Sequence, residues 1–289
     1  MNVTIWGSRG SLASAGRGTV RYGGNTACVE VRTSPEAAIL LDAGTGIRPA
    51  GIALADRDIA VHILLTHLHM DHILGLGFFR PLFEPGREVH VWGPPSTTRD
   101  LRARLSRYLS PPLFPVRIRD IAARLTLHDV PHGTWMIGNA IVAARAVIHP
   151  GPTVGYRIET PAGSLAYVPD HEPALGGLAH RGWLSGYDLA RNVDVLLHDG
   201  QYSDAEYTER TGWGHSSVTH AARFADLAGA RTLMLIHHDP DHDDETVDAL
   251  VASARDVRQA GSVQGAREGD VIDLGESILT GSRSATSAG

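Results

Sequence analysis

Apolar and polar positions change period repeatedly along the chain. Alternating or continuous apolar runs predict strands at 2–6 (NVTIW), 26–32 (TACVEVR), 38–42 (AILLD), 59–66 (IAVHILLT) and 88–92 (EVHVW). Further strands are predicted at 139–149, 153–160, 164–170, 193–199 and 232–239. The 59–66 run is apolar enough to be buried on both faces. A helical period predicts helices at 96–109, with Ser96 or Thr97 as N-cap, at 216–230 and at 244–257. In the 216–230 helix Val218, Ala221, Ala222 and Ala225 share a face, and Gly229 stands near the C-terminal end. Strands and helices alternate, but several strands follow one another directly. That predicts an α/β (α+β) chain of two sheets covered by helices rather than one doubly wound sheet. No linker-like stretch divides it, so residues 1–281 are expected to form a single domain and 282–289 (SRSATSAG) a mobile tail.

Composition narrows the class. The 289 residues are 43% hydrophobic and 20% charged, as in a globular protein, and no apolar run reaches the length of a membrane span. The start, MNVTIWGSRGS, lacks the basic-then-apolar pattern of a secretory signal, so a cytoplasmic location is expected. Cys28 is the only cysteine and can build neither an intrachain disulfide nor a thiolate zinc cage. A net charge of −6 argues against an electrostatic grip on long nucleic acid.

The sixteen histidines are the unusual feature, and their positions carry the chemistry. HLHMDH (67–72) follows the 59–66 run directly. In extended chain His67 and His69 share a face, and Asp71 and His72 follow at the turn. Two ligand pairs from one turn suit two adjacent metals. His149, Asp170 and His237 each end another apolar run. Nitrogen and carboxylate ligands without thiolate suit zinc, manganese or iron(II), and a carboxylate such as Asp170 can bridge two ions. His62, His90, His128, His132 and His180 read as ordinary surface or hydrogen-bonded histidines.

With HLHMDH and these three distant partners, the sequence resembles the metallo-β-lactamase superfamily over about residues 1–275. GGNTACVEV (23–31), ILLDAGTGI (39–47) and the stretch 212–240 resemble its ribonuclease Z and small-phosphodiesterase branch. The resemblance implies a four-layer αββα sandwich and two divalent metal ions, zinc first. His67, His69 and His149 would hold one ion, Asp71, His72 and His237 the other, and Asp170 both. It also places His215 of the His-Ser-Ser element at the scissile phosphate. A helix N-terminus independently favours an anion there, with Ser216 and Ser217 as added donors, although helix capping alone would explain the serines. His238 is assigned a supporting or substrate-facing role.

Asp42 and Asp199 are each read as orienting a metal-binding histidine or as stabilising a turn. Arg99, Arg102, Arg104 and Arg107 read first as a solvated helix surface, with a phosphate-steering face as the alternative.

The expected activity is hydrolysis of a small, cyclic nucleotide-type phosphodiester by attack of a metal-bridging hydroxide, with Asp71 and His215 catalytic. The alternatives are a ribonuclease Z-like tRNA 3′ endonuclease, a lactone or thioester hydrolase, and a non-catalytic metal-stabilised binding protein. Against the tRNA reading, the basic residues are arginines, and no long glycine- and lysine-rich insertion could serve as a gripping arm. The expected partner is a small phosphodiester, with nucleic acid the lesser alternative and no membrane. A homodimer is suggested by the resemblance alone.

Overall fold

The computed structural model describes residues 1–55, 57–174 and 184–275; the readings of His180, the boundary at 281 and the 282–289 tail lie outside them. Six strands form most of a first sheet: β1 (Asn2–Gly7), β2 (Cys28–Arg32), β3 (Ala37–Leu41), β4 (Ala60–Leu64), β5 (Glu88–Gly93) and β6 (Arg124–Asp129). A second sheet contains β7 (Thr134–Ile137), β8 (Ala140–Ala146), β9 (Val154–Thr160), β10 (Gly163–Val168), β11 (Val195–Asp199), β12 (Thr232–Ile236) and β13 (Ser262–Gly265). The chain then returns, and β14 (Val271–Asp273) pairs antiparallel with β1, giving sheet orders β14-β1-β2-β3-β4-β5-β6 and β13-β12-β11-β10-β9-β8-β7. Strands β3 to β6 are mutually parallel, as are β10 to β13.

The helices are α1 (Ile47–Leu54), α2 (Met70–Ile73), α3 (Leu101–Leu105), α4 (Tyr187–Ala190), α5 (Asp204–Arg210), α6 (Val218–Ala228) and α7 (Asp244–Val257). Three apolar clusters record the layering. Ile5, Leu41, Tyr156 and Tyr167 meet between the sheets. Leu40, Ile63, Ile47 and Phe79 join the outer face of the first sheet to α1 and its neighbours. Leu196, Leu233, Phe224 and Val251 join the second sheet to α6 and α7. The result is the expected four-layer αββα sandwich. Within β4 the burial alternates: Val61 and Ile63 face the helices, while Leu64 enters the layer between the sheets.

The 96–109 helix is shorter than the sequence predicts. Asp100, not Ser96 or Thr97, accepts the N–H of Ala103 (2.7 Å) and starts α3. Helix α6 starts at Ser217, which accepts the N–H of His220, and ends at Gly229 with φ 68°. The unanticipated β6, β7, β13 and β14 lie at or near sheet edges, where half-exposed side chains blur the apolar pattern.

Candidate metal centre

The cluster lies on the loops that leave the ends of β4, β8, β10 and β12. His67 and His69 follow β4, and α2 lifts Asp71 and His72 onto the same site. His149, Asp170 and His237 arrive after β8, β10 and β12. His67, His69 and His149 form one group of converging ligand atoms; Asp71, His72, Asp170 and His237 form another. Nε2 of His149 is 3.2 Å from Nδ1 of His69. In the second group, Nε2 of His72 is 3.1 Å from both Asp71 Oδ2 and Asp170 Oδ1, and Nε2 of His237 is 3.2 Å from Asp71 Oδ2. Asp170 joins the groups: its Oδ2 is 3.7 Å from Nε2 of His67 and of His149, and 3.3 Å from Nε2 of His237.

These residues fit cations better than they fit one another. Nε2 of His67, Nε2 of His72 and Oδ1 of Asp170 are buried without a hydrogen-bond partner. The last two are only 3.1 Å apart but are not aligned to share a proton. Buried polar atoms are normally satisfied, so three orphans in one cluster of nitrogen and carboxylate donors point to divalent ions as the missing partners.

Electrostatics give the same picture. Burial lowers the pKa of His67, His69 and His149, with the neighbouring rings adding to the effect at His67. Burial also opposes charge at His72 and His237, but the carboxylates around them outweigh it and raise both, His237 to about 9. Burial disfavours ionisation of Asp170 and Asp71, yet the imidazoles overcome it and lower both. The protons held by this set are those a cation would displace on binding.

The surrounding residues fix the orientation of the ligands. Asp42 has φ 62°, unusual for a residue with a side chain, and is fully buried. Its carboxylate accepts the N–H and Oγ1–H of Thr66 and the hydroxyl of Tyr167, and lies 2.8 Å from Nδ1 of His72. Both sequence readings describe it: the carboxylate faces a histidine of the cluster and holds the turn at Thr66. His237 also lies in the left-handed region, with φ 63°, and its ring packs so closely on Gly10 that a Cβ there would stand 2.2 Å from Nδ1. Residues the sequence analysis did not single out complete the frame. Gln201 Oε1 faces Nδ1 of His237 at 3.2 Å, Gly214 O faces Nδ1 of His149 at 2.9 Å, and the Ser11 N–H donates to Asp71 at 2.8 Å. Backbone carbonyls and N–H groups leave no mark in a sequence, and Gln201 shows no motif.

Asp199 holds His215: its Oδ2 is 2.7 Å from Nδ1 of that ring. The His215 ring stacks on His237, with centroids 5.0 Å apart, and stands edge-on to His149. Asp199 thus orients the His215 ring beside the cluster.

Three side chains expected near the substrate are engaged within the protein. The Ser216 and Ser217 side chains are fully buried; Ser216 Oγ donates to His171 O and Ser217 Oγ caps α6. His238 is buried behind the site, where its Nε2 donates to Ala266 O and its ring meets Tyr22 edge-on. The left-handed turn at His237 sends consecutive side chains in different directions, which explains why only His237 reaches the cluster. Arg99, Arg102 and Arg107 are exposed, as the solvated-surface reading expects, and Arg99 and Arg107 also border, with the half-buried Arg104, a cavity of ≈ 460 Å³ lined by His67 and His69.

Residues 37–238 match the family model of the beta-lactamase superfamily domain. The chain is 30% identical over 272 residues to a protein of Myxococcus xanthus named ribonuclease Z, covering 82% of this chain and 88% of that one. Among solved structures, the metallo-beta-lactamase fold protein YhfI from Bacillus subtilis superimposes with a TM-score of 0.69 at 20% identity, covering 94% of this chain and 98% of that one. A diphosphatase of the PhnP family gives a TM-score of 0.68 at 21% identity over 94% and 97% of the two chains. At these identities the two structures establish likeness of fold.

Proposed function

The chain belongs to the beta-lactamase superfamily as a metal-dependent hydrolase, and on that premise we propose that it hydrolyses small phosphodiesters at a dinuclear metal site. The observation that carries this reading is the Asp199–His215 pair beside the seven ligand residues. His67, His69 and His149 would hold one ion and Asp71, His72 and His237 the other, with Asp170 within reach of both groups. When bound, two divalent ions, zinc first and manganese or iron as alternatives, supply Lewis-acid charge to phosphate oxygens and lower the pKa of an attacking water.

The chain's own residues do the rest. Asp71, steadied by the Ser11 N–H, would take a proton from the nucleophile. With Nδ1–H directed at Asp199, a protonated His215 offers Nε2–H to the developing negative charge or to the leaving alkoxide. A thiolate leaves without such an acid, so the pair speaks against thioesters, and the ribonuclease Z name of the Myxococcus relative favours phosphodiesters over lactones. A 3′ endonuclease acting on tRNA is the second reading, favoured by the name of the Myxococcus relative. Among the described residues no helix is long and apolar enough to cross a membrane.

The test is turnover of bis(p-nitrophenyl) phosphate, cyclic nucleotides and a precursor tRNA by the metal-loaded protein, with and without chelator. Chelator-sensitive cleavage of the small diesters alone supports the proposal. Cleavage of the tRNA at one 3′ site promotes the second reading. Two bound metals with no phosphodiester turnover defeats both.

A further inference from the structure

We propose that the arginine-lined cavity beside His67 and His69 selects substrates carrying a second phosphate group on an apolar, nucleoside-like moiety. The inference rests on the phosphodiesterase reading and specifies its substrate.

The cavity has ≈ 460 Å³, within the range of small-molecule sites. Its lining divides into two kinds of group. Leu68, Met70, Ile73, Leu113 and Pro152 supply apolar surface, and Met70 and Leu113 remain 49% and 70% exposed. The charged lining is arginine alone: Arg99, Arg104 and Arg107, with no carboxylate among the described lining residues, in a chain whose net charge is −6.

The three arginines are not equivalent. Arg104 is occupied, its Nη2 donating to Pro94 O at 2.8 Å and facing Asp129 at 3.4 Å, which ties α3 to the sheet. The guanidinium groups of Arg99 and Arg107 have no hydrogen-bond or ion-pair partner among the described residues. Arg99 lies just before the N-cap Asp100 and Arg107 just after the C-cap Ser106, so two exposed arginines flank the short helix that Arg104 anchors.

A substrate with a single phosphate would place its charge on the metals and leave these two forks without a function. A second phosphate would take bidentate, charge-assisted hydrogen bonds from them, and the low-polarity wall strengthens the attraction. The exposed apolar side chains of the same cavity, Met70 and Leu113, offer a surface for a base or sugar.

The test compares kcat/KM for thymidine 5′-(p-nitrophenyl phosphate) and its 3′-phosphorylated counterpart. The metal-loaded wild type is measured beside the Arg99→Ala/Arg107→Ala and Arg99→Lys/Arg107→Lys double variants. The wild type is expected to prefer the 3′-phosphorylated ester by about tenfold or more. The alanine pair should bring the ratio close to one and the lysine pair should keep part of it. Equal rates for the two esters in the wild type, or an unchanged ratio in the alanine pair, overturns the proposal. Hydrolysis of bis(p-nitrophenyl) phosphate by the wild type tests the phosphodiesterase reading separately. If no diester is cleaved, that reading fails, and calorimetric binding of thymidine 3′,5′-bisphosphate decides the subsite. Affinity weakened about tenfold in the alanine pair upholds it, and equal affinity overturns it.

Discussion

Oδ2 of Asp199 lies 2.7 Å from Nδ1 of His215, and the same carboxylate accepts the backbone N–H of His171 and of Gln201. The acceptor is fixed by chain it does not share with His215, so the ring has one orientation. With Nδ1 facing Asp199, Nε2 is the nitrogen left to act.

Replacing His215 by alanine should keep both metals and lower kcat by roughly 10²–10³, as loss of one charge-stabilising donor does. Asp199→Asn should act in the same direction but less strongly, because the ring keeps a neighbour at Nδ1 but loses the charged acceptor that holds it. Metal content by mass spectrometry and pH–rate profiles check both. A fall in metal content with either variant would show that the pair belongs to the ligand set.

Asp170 is the carboxylate within reach of His67, His72, His149 and His237, and it is 2% exposed. Asp170→Ala should abolish turnover with loss of at least one metal ion per chain. Ions that bind only the folded state also stabilise it, so chelation of the wild type should lower the melting temperature, and the variant should show a smaller drop. Full activity with two ions retained would remove Asp170 from between them.

Asp42 touches no candidate ion, yet its removal should be felt at the site. Alanine there leaves the N–H and hydroxyl of Thr66, the Tyr167 hydroxyl and Nδ1 of His72 without their buried acceptor. Breaking such a network costs about 3–5 kcal/mol, and loss of a group orienting a ligand typically weakens metal affinity by roughly 10–100-fold. Denaturant unfolding and competitive metal titration read the two effects. A stable variant with normal affinity would reduce Asp42 to a turn residue.

The parts legible in the sequence share one cause. HLHMDH, His149, Asp170 and His237 sit at the ends of apolar runs, so strand periodicity and residue chemistry marked the same positions. Their convergence, and the two-sheet fold, followed. The misread residues stand where the backbone decides direction. His238 neighbours a ligand but turns into the core because His237 lies in the left-handed region. Ser216 and Ser217 carry the right functional groups but use them on His171 O and on the helix cap. Arg99 and Arg107 border the same cavity as His67 and His69, a neighbourhood made by tertiary packing that no local pattern encodes.

A cluster away from the metal centre sets a pH dependence of stability. His62 and His90 stack with centroids 4.6 Å apart, His90 stacks on His128, and Trp92 covers His128. The charged and titratable neighbours of His62 are His90, His128 and Glu88. Burial, and then the neighbouring His90, push the pKa of His62 down to about 4, with Glu88 opposing. The unfolded chain takes up this proton near pH 6.5, whereas the folded chain resists it until about pH 4. Between those values the unfolded state binds more protons, so this contribution to stability is complete above pH 6.5 and is lost as pH falls towards 4. His62→Leu removes the titrating group and should flatten the slope of unfolding free energy against pH in that window by up to one proton. Urea unfolding from pH 4 to pH 7 measures it, and an unchanged slope would show that His62 already takes up its proton in the folded protein near the ordinary pKa.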